Sequence, residues 1–267
     1  MWNKTPILIS MTSYPKRITN VAYSIFLILN KQTVLPDSVH LWLAKSEFPN
    51  GVSELPHDLQ LILKHPQVEL HWTETNTYCF KRHGIFDNSS TNRFYCFMID
   101  DDVQYSSNMI ESTLKISDMY PNAVVNYTDY GQVYYKGYHQ CHCYPAYNYP
   151  TPNNRWCGQS MIPSWIYPRE VFQSTYIALR DKYCPVCDET WMTQFFIKNN
   201  IGVINNSLPW GRELNHQNCN AIGIIKKVGE LDCNGLNFRD RCLINIFNHV
   251  FPDHRLYYAK HFNYGGH

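Results

Sequence analysis

The sequence predicts an α/β fold with a mostly parallel central sheet flanked by helices, and three stretches near its start lead there. Residues 7–10 (Ile-Leu-Ile-Ser) read as an apolar strand, and Val21, Ala22, Ile25, Phe26 and Leu29 keep helical spacing. Residues 39–43 (Val-His-Leu-Trp-Leu) then read as a second strand that alternates only loosely, as a strand covered on both faces does. Strand, helix and strand in that order form a βαβ unit, whose strands lie parallel with a right-handed crossover.

The remaining elements follow in order. Residues 11–15 form the loop leaving the first strand, and 32–36, ending in Pro36, break the helix. Residues 48–51 mark a turn, 58–64 a short amphipathic helix and 68–72 a third strand. Residues 78–88 read as a helix that carries the basic pair Lys81 and Arg82 back toward the sheet. The strand at 94–99 runs into Asp100, Asp101 and Asp102, and a helix at 108–120 sets Met109, Thr113 and Ile116 on one face. Residues 123–127 close the regular half. The composition then changes: 127–149 is rich in tyrosine without an aliphatic run, and 150–156 is loop-forming. Long irregular segments of this kind often serve as lids or binding loops. A helix at 168–178, a second beginning within 184–191, a strand at 202–204 and a helix at 243–250 complete the chain. There is no internal repeat and no interdomain linker, so residues 1–267 read as one domain.

Composition bounds the function. Lys+Arg 23 against Asp+Glu 22 leaves a net charge of +1, so no overall field draws the protein to nucleic acid. Any binding chemistry is local. Twenty tyrosines suit surfaces that stack on flat or ring-shaped ligands, and equally an aromatic core. No run approaches the roughly 18 apolar residues of a membrane span, and no signal peptide opens the chain, so a cytoplasmic protein is expected. The 10 cysteines are scattered, several within strands, which favours free buried thiols over a disulfide framework. Cys141 and Cys143 with Cys184 and Cys187 form a candidate four-thiolate zinc site, although the first spacing is short.

Two carboxylate groups carry the chemistry. Asp100, Asp101 and Asp102 sit at the carboxyl end of a central strand, where open α/β sheets place their ligands. If the strand continues through them, Asp100 and Asp102 face one side and Asp101 the other. Mutual repulsion in such a triplet is relieved by a bound cation, by proton sharing or by full solvation. Asp188 and Glu189 form the second group, at a helix start, where acids are also ordinary helix chemistry worth about 1 kcal/mol. An all-oxygen acidic site suits Mg²⁺ or Mn²⁺ that also holds substrate phosphates, and the second pair could supply a general base. Lys81 and Arg82 could reach the same phosphates or form a solvated helix face. None of the 12 histidines pairs at metal-ligand spacing on a helix, so they read as surface or core histidines. Phosphate-cradling glycine motifs and a nucleophile elbow are both absent.

Further residues carry a family resemblance. Ser10-Met11-Thr12-Ser13-Tyr14-Pro15-Lys16-Arg17-Ile18, with Lys31-Gln32-Thr33 before Pro36-Asp37, then Leu41-Trp42-Leu43 and Glu47-Phe48-Pro49, resembles the start of bacterial polysaccharide glycosyltransferases of the inverting, family-2-like kind. Met98-Ile99-Asp100-Asp101-Asp102-Val103 resembles their DxD region, and 158–168 their glycine-led strand ending in an aromatic-Pro pair. Pro185-Val186-Cys187-Asp188-Glu189-Thr190-Trp191 is similar to their acidic pair before Trp. Asn237-Phe238-Arg239-Asp240, ahead of Phe251-Pro252, loosely matches a late Asn-Asp element.

The resemblance implies a GT-A (Rossmann-like) fold. It implies an inverting, Mn²⁺- or Mg²⁺-dependent hexosyltransferase that moves a sugar from a UDP-sugar to a hydroxyl of a glycan or glycolipid acceptor, in capsule or lipopolysaccharide synthesis. Residues 1–105 would bind the nucleotide-sugar, and 106–267 the acceptor and base, with the protein cytoplasmic or peripheral at the inner membrane face. Thr12, Ser13 and Tyr14 would lie against the nucleotide base, and Arg17 and Lys81 near the ribose or diphosphate. Asp100 would contact the ribose or a metal-bound water, Asp102 would ligate the metal, and Asp101 joins the nucleotide-binding set as its most structural member. Asp188 or Glu189 would be the base; Glu stands where the family has a second Asp, which leaves that choice open. A retaining transferase or a sugar nucleotidyltransferase on the same fold, and a non-catalytic carbohydrate binder using the tyrosines of 127–149, are the rival readings.

Overall fold

The structure is a computed structural model, and it describes residues 5–87, 93–127, 131–135, 138–142, 159–205, 212–213 and 238–254. The chain opens with β1 (Ile7–Thr12), α1 (Val21–Lys31), β2 (Ser38–Ala44), α2 (His57–Ile62) and β3 (Val68–Thr73). A 3-10 run at Tyr78–Phe86 leads to β4 (Tyr95–Ile99), β5 (Val103–Gln104), α3 (Met109–Met119) and β6 (Ala123–Asn126). Strands β7 (Gly131–Tyr135) and β8 (Tyr138–His142) form an antiparallel pair within the tyrosine-rich stretch. Then come β9 (Ser160–Pro163), α4 (Ser174–Tyr183), α5 (Asp188–Lys198), β10 (Gly202–Asn205), β11 (Arg212–Glu213) and α6 (Phe238–His249).

Seven strands make one sheet in the order β10-β6-β9-β4-β1-β2-β3. β1 pairs in parallel with β2 on one side and with β4 on the other, so strand order reverses around it. The carboxyl ends of β1 and β4 therefore flank a crevice of the kind that holds ligands in open α/β sheets. β9 is antiparallel to both β4 and β6 and makes the sheet mixed.

Helices cover both faces. Ile7, Ile9 and Met11 of β1 and Tyr95, Phe97 and Ile99 of β4 pack with Val21, Ile25, Ile28, Met109, Ile110 and Leu114 of α1 and α3. Cys96 and Met98 point the other way, into a core with Phe80, Phe86, Trp191, Phe195 and Phe196. All five residues of β4 are buried, which is why its sequence is continuously apolar.

Several elements differ from the sequence expectation. β1 extends to Thr12 rather than ending at Ser10. Residues 78–86 wind as a 3-10 run because Phe80, Lys81, Arg82, His83, Ile85 and Phe86 are all buried, leaving no solvent face for an amphipathic α-helix. The helix expected at 168–178 divides into a 3-10 turn, Arg169–Phe172, and α4, while the last helix begins at Phe238. Among the described residues no helix is long and apolar enough to cross a membrane.

Candidate active site

The acidic triplet does not continue the strand. β4 ends at Ile99, and Asp100, Asp101 and Asp102 turn toward β5, so the expected alternation fails and Asp101 and Asp102 share a partner. Arg17 Nη2 forms ion pairs with one carboxylate oxygen of each. Asp101 is buried, accepts a hydrogen bond from Ser13 Oγ at 2.5 Å, and its carbonyl accepts one from Ser24 Oγ at 2.8 Å. Burial pushes the Asp101 carboxyl up to about 7, against the pull of Arg17 and with a smaller push from Asp102. Asp100 stands apart in a ring of hydrogen bonds: its amide donates to Tyr105 Oη at 2.9 Å, Tyr105 donates to Gln159 Oε1 at 2.7 Å, and Gln159 Nε2 donates to Asp100 Oδ2.

Arg82 joins the two acidic groups. Its Nη1 donates to Asp100 Oδ1 at 2.7 Å and to the Ile99 carbonyl at 3.3 Å; its Nε donates to Asp188 Oδ2 at 2.8 Å. Glu189 Oε1 lies 3.6 Å from Arg82 Nη2. The Arg82 carbonyl accepts from Ser10 Oγ at 2.7 Å, which ties the 3-10 run to β1. His83 Nε2 is 3.1 Å from Asp188 Oδ2, and its Nδ1 is 3.0 Å from Tyr167 Oη. Burial alone would raise the Asp188 carboxyl; the Arg82 guanidinium and the His83 hydrogen bond reverse this and hold it well below the usual carboxylate range. Burial holds His83 low despite Asp188. Asp188 and Glu189 also occupy the first turn of α5, so the helix-start chemistry holds alongside any catalytic role.

Lys81 is buried with its ammonium satisfied: Nζ donates to Glu47 Oε2 at 2.8 Å, to the Ser13 carbonyl at 3.2 Å and to Asn76 Oδ1 at 3.4 Å. An ammonium has three protons, so Lys81 is spent on holding the Ser13 backbone. Arg17 differs, because its Nε is buried and makes no hydrogen bond.

Thr12, Ser13, Tyr14, Arg17, Lys81, Asp100 and Asp101 all line one cavity at the carboxyl ends of β1 and β4. Asp102, Asp188 and Glu189 do not line it; they connect through Arg17 and Arg82. Sequence reasoning missed Glu47, Tyr78, Cys79 and Val186 in that wall, and Tyr105, Gln159 and His83 behind it. Tyr78 carries a signal only the backbone gives, a left-handed φ of 54° at the cavity rim.

Asp100 and Asp102 are hard oxygen donors of the kind Mg²⁺ or Mn²⁺ takes when phosphates complete its shell. The Asp100 side chain is 35% exposed at the cavity and fits that use; Asp102 is 17% exposed and engaged by Arg17. Of the four zinc candidates, Cys143 and the Cys141 side chain lie outside the described residues. Cys184 and Cys187 are buried thiols, with Cys184 Sγ donating to the Cys187 carbonyl at 3.3 Å. Burial, together with Cys187 and Cys242, pushes the Cys184 thiol well up.

No protein-family model matches the chain, and no curated protein matches it significantly. Solved structures do. S. aureus TarS, residues 1–349, is similar with a TM-score of 0.52 at 10% identity, over 97% of this chain and 70% of that one. TarS in complex with UDP is similar with a TM-score of 0.51 at the same identity and coverage. At this identity the likeness concerns the fold, and the chain has the α/β, mostly parallel GT-A architecture of TarS.

Proposed function

We propose that this protein is an inverting glycosyltransferase that transfers a sugar from a UDP-sugar to a hydroxyl of a glycan or glycolipid in surface polysaccharide synthesis. One observation carries the reading: the seven residues that the family resemblance assigns to the nucleotide-sugar meet at one cavity, at the strand-order reversal of a fold similar to TarS crystallised with UDP. Arg17 lines the cavity, and its guanidinium carries a buried Nε that makes no hydrogen bond. Tyr78, half exposed at the rim, offers a ring face to the uracil. A divalent cation held by Asp100 at the cavity would neutralise charge on the diphosphate. Residues 1–105 serve the donor and 106–267 the acceptor, with the protein cytoplasmic or peripheral at the inner membrane face.

Glu189 is the base in this reading. A base must be reachable and must hold a proton with useful affinity. Asp188 is buried and its carboxyl is held far down by Arg82 and His83, whereas the Glu189 side chain is 17% exposed one residue later. Glu189 removes the acceptor hydroxyl proton, the oxygen attacks the anomeric carbon, and the bond to the diphosphate breaks with inversion. Asp188 acts through Arg82, fixing the guanidinium that also orients Asp100.

Calorimetric titration with UDP, GDP and ADP, with and without Mn²⁺, tests the donor site. Selective UDP binding, followed by sugar transfer whose product has inverted anomeric configuration by NMR, is expected. Binding of saccharide alone, indifferent to nucleotide, would reject the enzyme reading.

A further inference from the structure

A second cluster lies away from the donor cavity, on the edge of the sheet. The parallel register of β2 and β3 sets His40 opposite Glu69 and Trp42 opposite His71. Residues two apart share a face, so His40, Glu69 and His71 converge there. His40 Nδ1 stands 2.9 Å from His71 Nε2, and both nitrogens are 3.6 Å from Glu69 Oε2. Donors about 2.0–2.1 Å from a tetrahedral Zn²⁺ stand about 3.4 Å from one another. The three edges average to that spacing, and a point about 2.0 Å from all three atoms exists at the centre of the triangle. Among the described residues this is the group of three His, Cys, Asp or Glu residues whose ligand atoms all lie within 4.8 Å of one another.

The surroundings orient the donors as metal sites require. His40 Nε2 is 2.7 Å from Ser38 Oγ; with Nε2–H donating to the serine oxygen, the Nδ1 lone pair points at the cluster and accepts from His71 Nε2–H. His71 is stacked on Trp42 with centroids 4.1 Å apart and planes 15° off parallel, which fixes its ring. Burial lowers both His40 and His71 against the pull of Glu69. None of the three residues lines the donor cavity.

We propose that His40, Glu69 and His71 bind one zinc-class divalent cation. Two imidazoles and one carboxylate favour Zn²⁺, Co²⁺ or Ni²⁺ over Mg²⁺ or Mn²⁺. The half-exposed Glu69 leaves the fourth position open to water. The cation ties the edge strand β3 to β2 and locks the ring of Trp42 through His71.

The test uses the chelator-stripped full-length protein. Equilibrium dialysis against Zn²⁺ is expected to return one equivalent, and Co²⁺ titration a tetrahedral visible spectrum without thiolate charge-transfer bands. His71→Ala should lose affinity by a hundredfold or more. Ser38→Ala, which removes no ligand, should lose it by about tenfold. A tenfold excess of Mg²⁺ should not displace the cation. Less than stoichiometric binding, thiolate bands in the Co²⁺ spectrum, or unchanged affinity in Ser38→Ala would each overturn the proposal.

Discussion

Arg82 Nε donates to Asp188 Oδ2 at 2.8 Å between two side chains that are almost entirely buried, 4% and 2% exposed. The same guanidinium holds Asp100, so one cation serves two acids from different parts of the chain. Removing one partner of a buried pair strands the other's charge, which costs about 3–5 kcal/mol. Arg82→Met should therefore lower the urea unfolding free energy by that order. Arg82→Met with Asp188→Asn should recover part of the loss, which the double-mutant cycle would read as coupling.

Asp101 makes stability depend on pH in the opposite sense from an ordinary paired aspartate. Its folded carboxyl sits at about 7, raised by burial, against about 3.9 unfolded. Between those values the folded protein holds a proton that the unfolded chain has lost, so stability falls as pH rises toward 7, by at most about 1.4 kcal/mol per pH unit. Urea midpoints from pH 5 to 8 should decline more steeply for the wild type than for Asp101→Asn. Equal slopes would show that Asp101 is ionised throughout.

Gly84 meets Trp42 at contact distance. A Cβ at residue 84 would lie 2.7 Å and 2.9 Å from two atoms of the indole ring. The ring is confined by its stack on His71 and cannot simply yield. Gly84→Ala should cost about 1–3 kcal/mol through overpacking and change the near-ultraviolet circular dichroism.

The proposed base, Glu189, and its neighbour Asp188 should separate kinetically. Loss of a general base lowers turnover by about 10²–10⁴-fold without weakening donor binding. Glu189→Gln should show that pattern, with UDP affinity unchanged. Asp188→Asn should instead lower stability and donor affinity together, because it frees Arg82.

The strand and helix pattern was legible because burial on both faces writes continuous apolar runs, as in β4, and one-sided burial writes helical spacing, as in α1. The acidic pair at the start of α5 and the triplet after β4 stood out for the same reason, as charges interrupting apolar stretches. The segment expected as a helix winds as a 3-10 run, because Lys81 and Arg82 are buried against carboxylates that lie far along the chain.

By itself the sequence determined the parallel opening and the position of the acids at a strand end. Tertiary structure decided which charges are already satisfied. Lys81 is spent on Glu47, Ser13 and Asn76, whereas Arg17 keeps a buried donor. It also decided that β4 stops at Ile99, so Asp101 shares Arg17 with Asp102 instead of pointing away. The His40–Glu69–His71 cluster belongs wholly to this second kind of information. Sequence spacing reports neighbours along one element, and only strand pairing brings donors from two strands to a single point.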